Sequence, residues 1–160
     1  MKRQEVSALA AAATSLVLAV PGVAAGPGAT HVSMFDPTGA VFTCPGAIYT
    51  VLGGSVRSVF HYSIAADGSE HVSVAETPIG VTLTDGTTDA VYRLAGASPG
   101  SGNISGASGS FVFTDPYRFN IIGPGDGVVA EVAGVEHASS GGSNFVFTFG
   151  PCQAPDAPED

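Results

Sequence analysis

Apolar residues recur along this chain at every second position and almost never at helical spacing. Tyr117, Phe119 and Ile121 alternate with Arg118 and Asn120, Phe111 and Phe113 flank Val112, and Phe145, Phe147 and Phe149 alternate with Asn144, Val146 and Thr148. A period of two marks a half-buried strand, and the runs are short, rich in Val, Ile, Thr, Phe and Tyr, and punctuated by Gly, Pro, Asp and Ser. The pattern predicts strands at Thr30–Phe35, Ala40–Thr43, Ala47–Leu52, Val56–Ala65, His71–Thr77, Gly80–Thr84, Ala90–Ala95, Ser110–Thr114, Tyr117–Ile122, Val128–His137 and Asn144–Phe149. Some neighbours in that series are candidates for one bent strand. The aromatic side of each strand is expected to face a single internal core.

The clearest hairpin runs from Val56 to Glu76 around Ala66-Asp67-Gly68. With Gly68 in the left-handed position of a three-residue loop, Tyr62 faces Val72 and Phe60 faces Val74. A slip by one residue would oppose apolar to polar positions, so the pattern sets the register. Short connections at Asp85-Gly86-Thr87-Thr88 and Gly123-Pro124-Gly125-Asp126-Gly127 imply antiparallel neighbours. Ser98–Ser110, nearly all Gly, Ser and Ala, reads as a long mobile loop. The expectation is therefore an all-β fold, a single antiparallel β-barrel of about 8–10 strands in meander order, with a two-sheet β-sandwich as the alternative.

The chain ends differ from this core. Lys2 and Arg3, an uncharged stretch from Val6 to Val20, and small residues before Gly26 read as a signal peptide over residues 1–25, too short in its apolar part to span a bilayer. Residues 26–152 form the expected barrel domain, and 153–160 an acidic, Pro-containing disordered tail. The whole chain carries a formal charge of -9; without Lys2, Arg3 and Glu5 it keeps three arginines, Arg57, Arg93 and Arg118, and no lysine. So acidic a surface excludes nucleic acid as a partner. Two cysteines in an exported chain predict one disulfide, Cys44 to Cys152, tying the first part of the domain to its last strand.

Chemistry-bearing residues are few. His61 and His71 fall on the polar face of the clearest hairpin as diagonal neighbours, two potential metal ligands without an assignable third, and no metal is expected. Asp85-Gly86-Thr87-Thr88-Asp89 lacks the glycine and glutamate of a calcium loop, having Ala90 and Gly96 at those positions. Gly123–Gly127 is followed by a Val-rich strand rather than a helix, so it is a turn and not a phosphate loop. No serine sits in Gly-x-Ser-x-Gly, and Glu131 and Glu136 differ by five positions, which sets them on opposite faces of a regular strand. No catalytic residue and no cofactor are expected. Asn103-Ile104-Ser105 fits a glycosylation sequon. Arg93 and Arg118, each between aromatic or aliphatic residues, form with Tyr62 a speculative ligand-binding set if they point into a lumen; if the aromatics fill the interior, both arginines are solvated.

The export signal, Cys44-Pro45-Gly46, the segment Val91-Tyr92-Arg93-Leu94-Ala95-Gly96, the strand from Tyr117-Arg118-Phe119 to Gly123 and the closing Cys152 together resemble small secreted β-rich proteins of actinobacteria that have no assigned function. The resemblance covers most of Thr30–Cys152 and implies an extracellular β domain with a terminal disulfide; it supplies no catalytic residues. The expected role is that of a secreted, non-catalytic barrel that binds a small molecule or a cell-envelope partner, with no membrane span. A barrel cyclase or isomerase, and a structural surface-interaction protein, are the alternatives.

Overall fold

The structure, a computed structural model, describes residues 28–142 and 144–152. The expected leader and the tail lie outside the described residues. Eight strands follow one another: β1 (Thr30–Phe35), β2 (Val41–Cys44), β3 (Ala47–Ile64), β4 (Glu70–Thr84), β5 (Tyr92–Ile104), β6 (Phe111–Ile122), β7 (Val128–Ser139) and β8 (Phe145–Thr148). All belong to one antiparallel sheet ordered β1-β3-β4-β5-β6-β7-β8, and β2 shares the β3 edge with β1. No helix occurs among the described residues, and so none long and apolar enough to cross a membrane.

The fold is thus all-β and antiparallel, with a difference at its margins: among the described residues β1 and β8 are not paired with one another, so the sheet is not closed into a barrel by hydrogen bonds there. What joins the margins is covalent. Cys44 ends β2 and Cys152 follows β8, and their disulfide brings the two Cα atoms to 4.0 Å. The sheet is therefore curled at that end, with one face packed on itself and the other turned outward.

Several of the short predicted strands fuse. β3 runs through Gly53-Gly54, where the pairing with β4 shifts register on either side of Gly53. Gly54 has φ +115°, and a Cβ there would lie 2.5 Å from the Val81 Cα, so only glycine lets β3 bend this closely onto β4. Beyond the bend the pairing is Phe60 with Val74 and Tyr62 with Val72, the register the hydrophobic pattern predicts.

Two expectations are corrected. Residues 98–104 are not a loop but the second half of β5, paired with β4 from Ser98 opposite Glu76 to Ile104 opposite Glu70. Their small side chains have a packing cause: a Cβ on Gly100 would lie 2.8 Å from both Phe113 Cζ and Val74 Cγ1, and one on Gly102 would lie 2.7 Å from Phe113 Cδ2. The glycines make room for the Phe113 ring. The second correction concerns β8. Its pairing sets Val146 opposite Glu136 and Thr148 opposite Gly134, so Phe145 stands on the outer face at 48% exposure, and Phe149 beyond the strand is 70% exposed. Phe145 stacks instead on His137, with ring centroids 4.9 Å apart.

Two apolar clusters fill the packed face. The larger surrounds the disulfide and buries Phe42, Tyr49, Val51, Leu83, Phe119, Ile121 and Val132 among others. The smaller, at the opposite end, consists of Phe60, Val72, Val74 and Phe113, with Tyr62 against it.

Candidate functional site

Between the two clusters the alternation of β3 to β7 continues inward with polar residues. Ser33 pairs with Ser58, Ser58 with Glu76 and Glu76 with Ser98; on the other side Asp115 pairs with Glu136. The result is a polar belt across the packed face, and its central members are closed off from solvent: Ser58, Ser98, Glu76 at 8% and Asp115 at 5% exposure. Ser58 Oγ donates to Glu76 Oε1 at 2.7 Å, and Ser98 Oγ donates to Asp115 Oδ1. Burial pushes the Glu76 carboxyl above its ordinary value; the Ser58 bond pulls it down, and the nearby Asp115 and Glu136 push it up again. Asp115 is raised for the same reason, burial, against the opposing pull of Ser98. Each carboxyl sits two residues past a core position, Val74 and Phe113, so strict alternation placed it inward.

The outer face carries a second row of register-matched residues. Thr30, His61, Ser73, Ser101, Thr114, His137 and Phe145 stand opposite one another in succession from β1 to β8. Thr30 Oγ1 lies 2.9 Å from His61 Nδ1 and Thr114 Oγ1 lies 3.1 Å from His137 Nδ1. His71 Nδ1, one row nearer the hairpin, is 3.0 Å from Asn103 Oδ1. His61 and His71 are the diagonal neighbours that the sequence predicts, each already engaged by an adjacent strand. Among the described residues no three of His, Cys, Asp and Glu are grouped as metal ligands.

The speculative ligand set does not converge. Arg93 and Arg118 project outward, the first in an ion pair with Asp126 and the second with Glu131 at 3.1 Å. Tyr62 lies on the packed face, its ring stacked on Phe60 at 6.2 Å; burial first and Glu70 second raise its hydroxyl pKa. Glu131 and Glu136 do part to opposite faces, Glu131 outward to Arg118 and Glu136 inward along the belt.

The turns are tied by aspartates. Asp85 Oδ1 accepts the backbone N–H groups of Thr87 and Thr88 at 2.9 Å each, and its Oδ2 accepts the Tyr92 hydroxyl at 2.9 Å, which holds the carboxyl well below the usual range. Gly123–Gly127 is a turn closed by Gly123 N–H to Gly127 O at 2.8 Å.

A notch at the small-cluster end, lined by Val72, Gly102, Ile104, Phe111 and Phe113, has a volume of about 10 Å³, room for about one water. No protein family, curated protein or solved structure matches this chain.

Proposed function

We propose that this protein is an exported, non-catalytic β domain that binds a hydroxyl-rich glycan of the cell envelope through its outer face. The observation that carries this reading is the row from Thr30 to Phe145. Its members are spaced by the strand separation, about 4.8 Å, and present hydroxyl and imidazole groups in a line across six strands, with Phe145 on the seventh. Such a line suits a polymer that makes many weak hydrogen bonds, direct or through water. Between His61 and Thr114 it offers no large apolar anchor of the kind that dominates protein–protein contacts, and Phe145 at its end offers a ring face to a sugar. The outer strand faces also bear Arg57, Arg93 and Arg118, with Glu131 as their strand carboxylate, so the chain's overall acidity is not concentrated there. Export is supported by the leader-like first 25 residues and by the disulfide, which persists in oxidising compartments.

Binding of a small molecule inside the fold has less support, because the packed face is occupied by the buried side chains of the two clusters. A cyclase or isomerase would need substrate to reach Glu76 or Asp115, and both are buried.

The test is co-sedimentation with insoluble peptidoglycan, chitin and cellulose. The wild-type protein is expected to be retained by at least one, and the combined variant His61→Ala, Ser101→Ala and His137→Ala to bind it about tenfold or more weakly, a loss of about 1.4 kcal/mol or more, while its circular dichroism spectrum at the assay temperature stays that of the folded wild type. Retention by none of the three, or equal retention of the variant, overturns the proposal.

A further inference from the structure

The polar belt divides the packed face into two halves that are held in different ways. The larger cluster, thirteen buried residues, contains the disulfide. The smaller rests on four buried side chains, Phe60, Val72, Val74 and Phe113, at the end where β1 and β8 are unpaired with each other and no covalent link joins the margins. Across the boundary lie Glu76 and Asp115, each receiving one serine hydroxyl.

An ionised carboxylate has two oxygens and about four acceptor sites, and a buried one is stable only when paired or multiply hydrogen-bonded. Among the described residues no lysine or arginine faces these two, so an ionised pair would have no fixed cation beside it. On the packed face β1 contributes His31, whose exposed ring is tilted against Phe60 at 6.4 Å; β3 contributes Ser58 and Tyr62, β5 Ser98, β6 Tyr117 and β7 Glu136, while Glu70 stands nearer the open end on β4 itself, and Tyr49 of β3 and Tyr92 of β5 lie in the disulfide-end cluster. β2 contributes the disulfide-bonded Cys44, and β8 has no titratable residue. Arg57, Arg93 and Arg118 are all exposed on the other face, and the only lysine in the chain is Lys2.

We propose that Glu76 and Asp115 form a proton-dependent latch: while both carry a proton the small-cluster half stays packed, and when both ionise it loosens, leaving the disulfide half intact. The latch acts as an acid-closed device, since the protonated carboxyl is the form that a buried site with a single hydroxyl partner tolerates, and two anions beside Glu136 repel one another across the belt. Loosening uncovers Phe60, Val72, Val74 and Phe113.

The experiment compares wild type, the double variant Glu76→Gln with Asp115→Asn, and the outer-face control Glu131→Gln, each with its disulfide intact. Between about pH 4 and about pH 8 the wild-type melting temperature is expected to fall by roughly 5 °C or more, with a matching rise in binding of a dye that reports exposed apolar surface. The double variant is expected to lose at least half of that fall and the dye response, and the control to keep both. A double variant whose profile runs parallel to wild type overturns the latch. Should the double variant not fold, carbon-13 titration of the wild-type carboxyl groups decides: midpoints for Glu76 and Asp115 above the ordinary carboxylate range of about 4 sustain it, and midpoints within that range sink it.

Discussion

Ser58 and Glu76 face each other across β3 and β4, hydroxyl to carboxyl oxygen at 2.7 Å, in a stretch of the sheet where every neighbouring inward position on those strands is apolar. The pair is the point at which the polar belt enters the core, and its chemistry sets how the molecule responds to substitution and to acidity.

Removing the Ser58 hydroxyl, as Ser58→Ala, takes away the named donor to Glu76. The expected loss of stability is about 1–2 kcal/mol, at the upper end where Glu76 is ionised, because bonds to charged groups are the stronger ones. The Ser58 bond pulls the Glu76 pKa down, so without it the carboxyl is raised further and the loss grows with pH. Urea unfolding at two pH values checks both the sign and the growth.

Stability is expected to pass through a maximum with pH, and different residues govern its two limbs. Asp36, Asp67 and Asp85 accept hydrogen bonds in their turns and are held below the ordinary carboxylate value. The stability they contribute is present above that value and is lost as pH falls through their lowered ones. Glu76 and Asp115 are raised, so their contribution is complete below the ordinary value and is lost as pH climbs through their raised ones. Melting curves of Asp85→Asn should flatten the acid limb alone; flattening of the alkaline limb instead would reverse the assignment.

Reduction of Cys44–Cys152, or the pair Cys44→Ser with Cys152→Ser, removes a link spanning 108 positions. Loop-closure entropy for a ring of that size is worth about 4–5 kcal/mol, and the margins of the sheet have no hydrogen-bonded pairing to replace it. Denaturant midpoints with and without reductant measure the difference; a change under about 1 kcal/mol would mean the margins are held by packing alone.

Gly100→Ala and Gly102→Ala are expected to destabilise by about 1–3 kcal/mol each through overpacking, the first against Phe113 and Val74 and the second against the Val112 carbonyl and Phe113. Combining Gly100→Ala with Phe113→Leu should recover part of the loss, since the ring is what the new methyl meets. A Gly-rich segment that were simply mobile would tolerate both glycine changes, so thermal melts separate the two readings.

Phenylalanines at the two ends of the burial scale should differ sharply. Phe42, 1% exposed beside the disulfide, is expected to cost about 3–5 kcal/mol as Phe42→Ala. Phe149→Ala, at 70% exposure, should cost under about 1 kcal/mol. Paired melts of the two variants check the ratio.

What the sequence made legible was whatever depends on local alternation. Tyr62 opposite Val72, the turn at Asp85, the opposite faces of Glu131 and Glu136 and the pairing of the two cysteines all follow from period two, turn residues or the cysteine count. What escaped depends on a neighbouring strand. Residues 98–104 have the composition of a linker, and it is the close approach of β4 and β6, Val74, Val112 O and the Phe113 ring, that explains the glycines. Phe145 has the look of a core residue, yet the register of β8 on β7 turns it toward His137. The belt was within reach, since Glu76 and Asp115 continue the inward parity of Val72, Val74 and Phe113, but a carboxylate at a core position is read as solvent-facing unless parity is given precedence over polarity. Closure of the sheet was not readable at all, because nothing in the alternation of β1 or β8 specifies whether each has a partner on its far side.

The position of the two cysteines makes most of the sheet a covalent macrocycle. β3 to β8 lie within the loop from Cys44 to Cys152, and β1 precedes it. A pulling force applied at the two termini is then carried across the sulfur bridge and bypasses every hairpin inside. The extension available from the described sheet under tension comes from β1 and β2 peeling off β3, so the surface that β3 to β7 present outward keeps its shape on a molecule tethered at both ends.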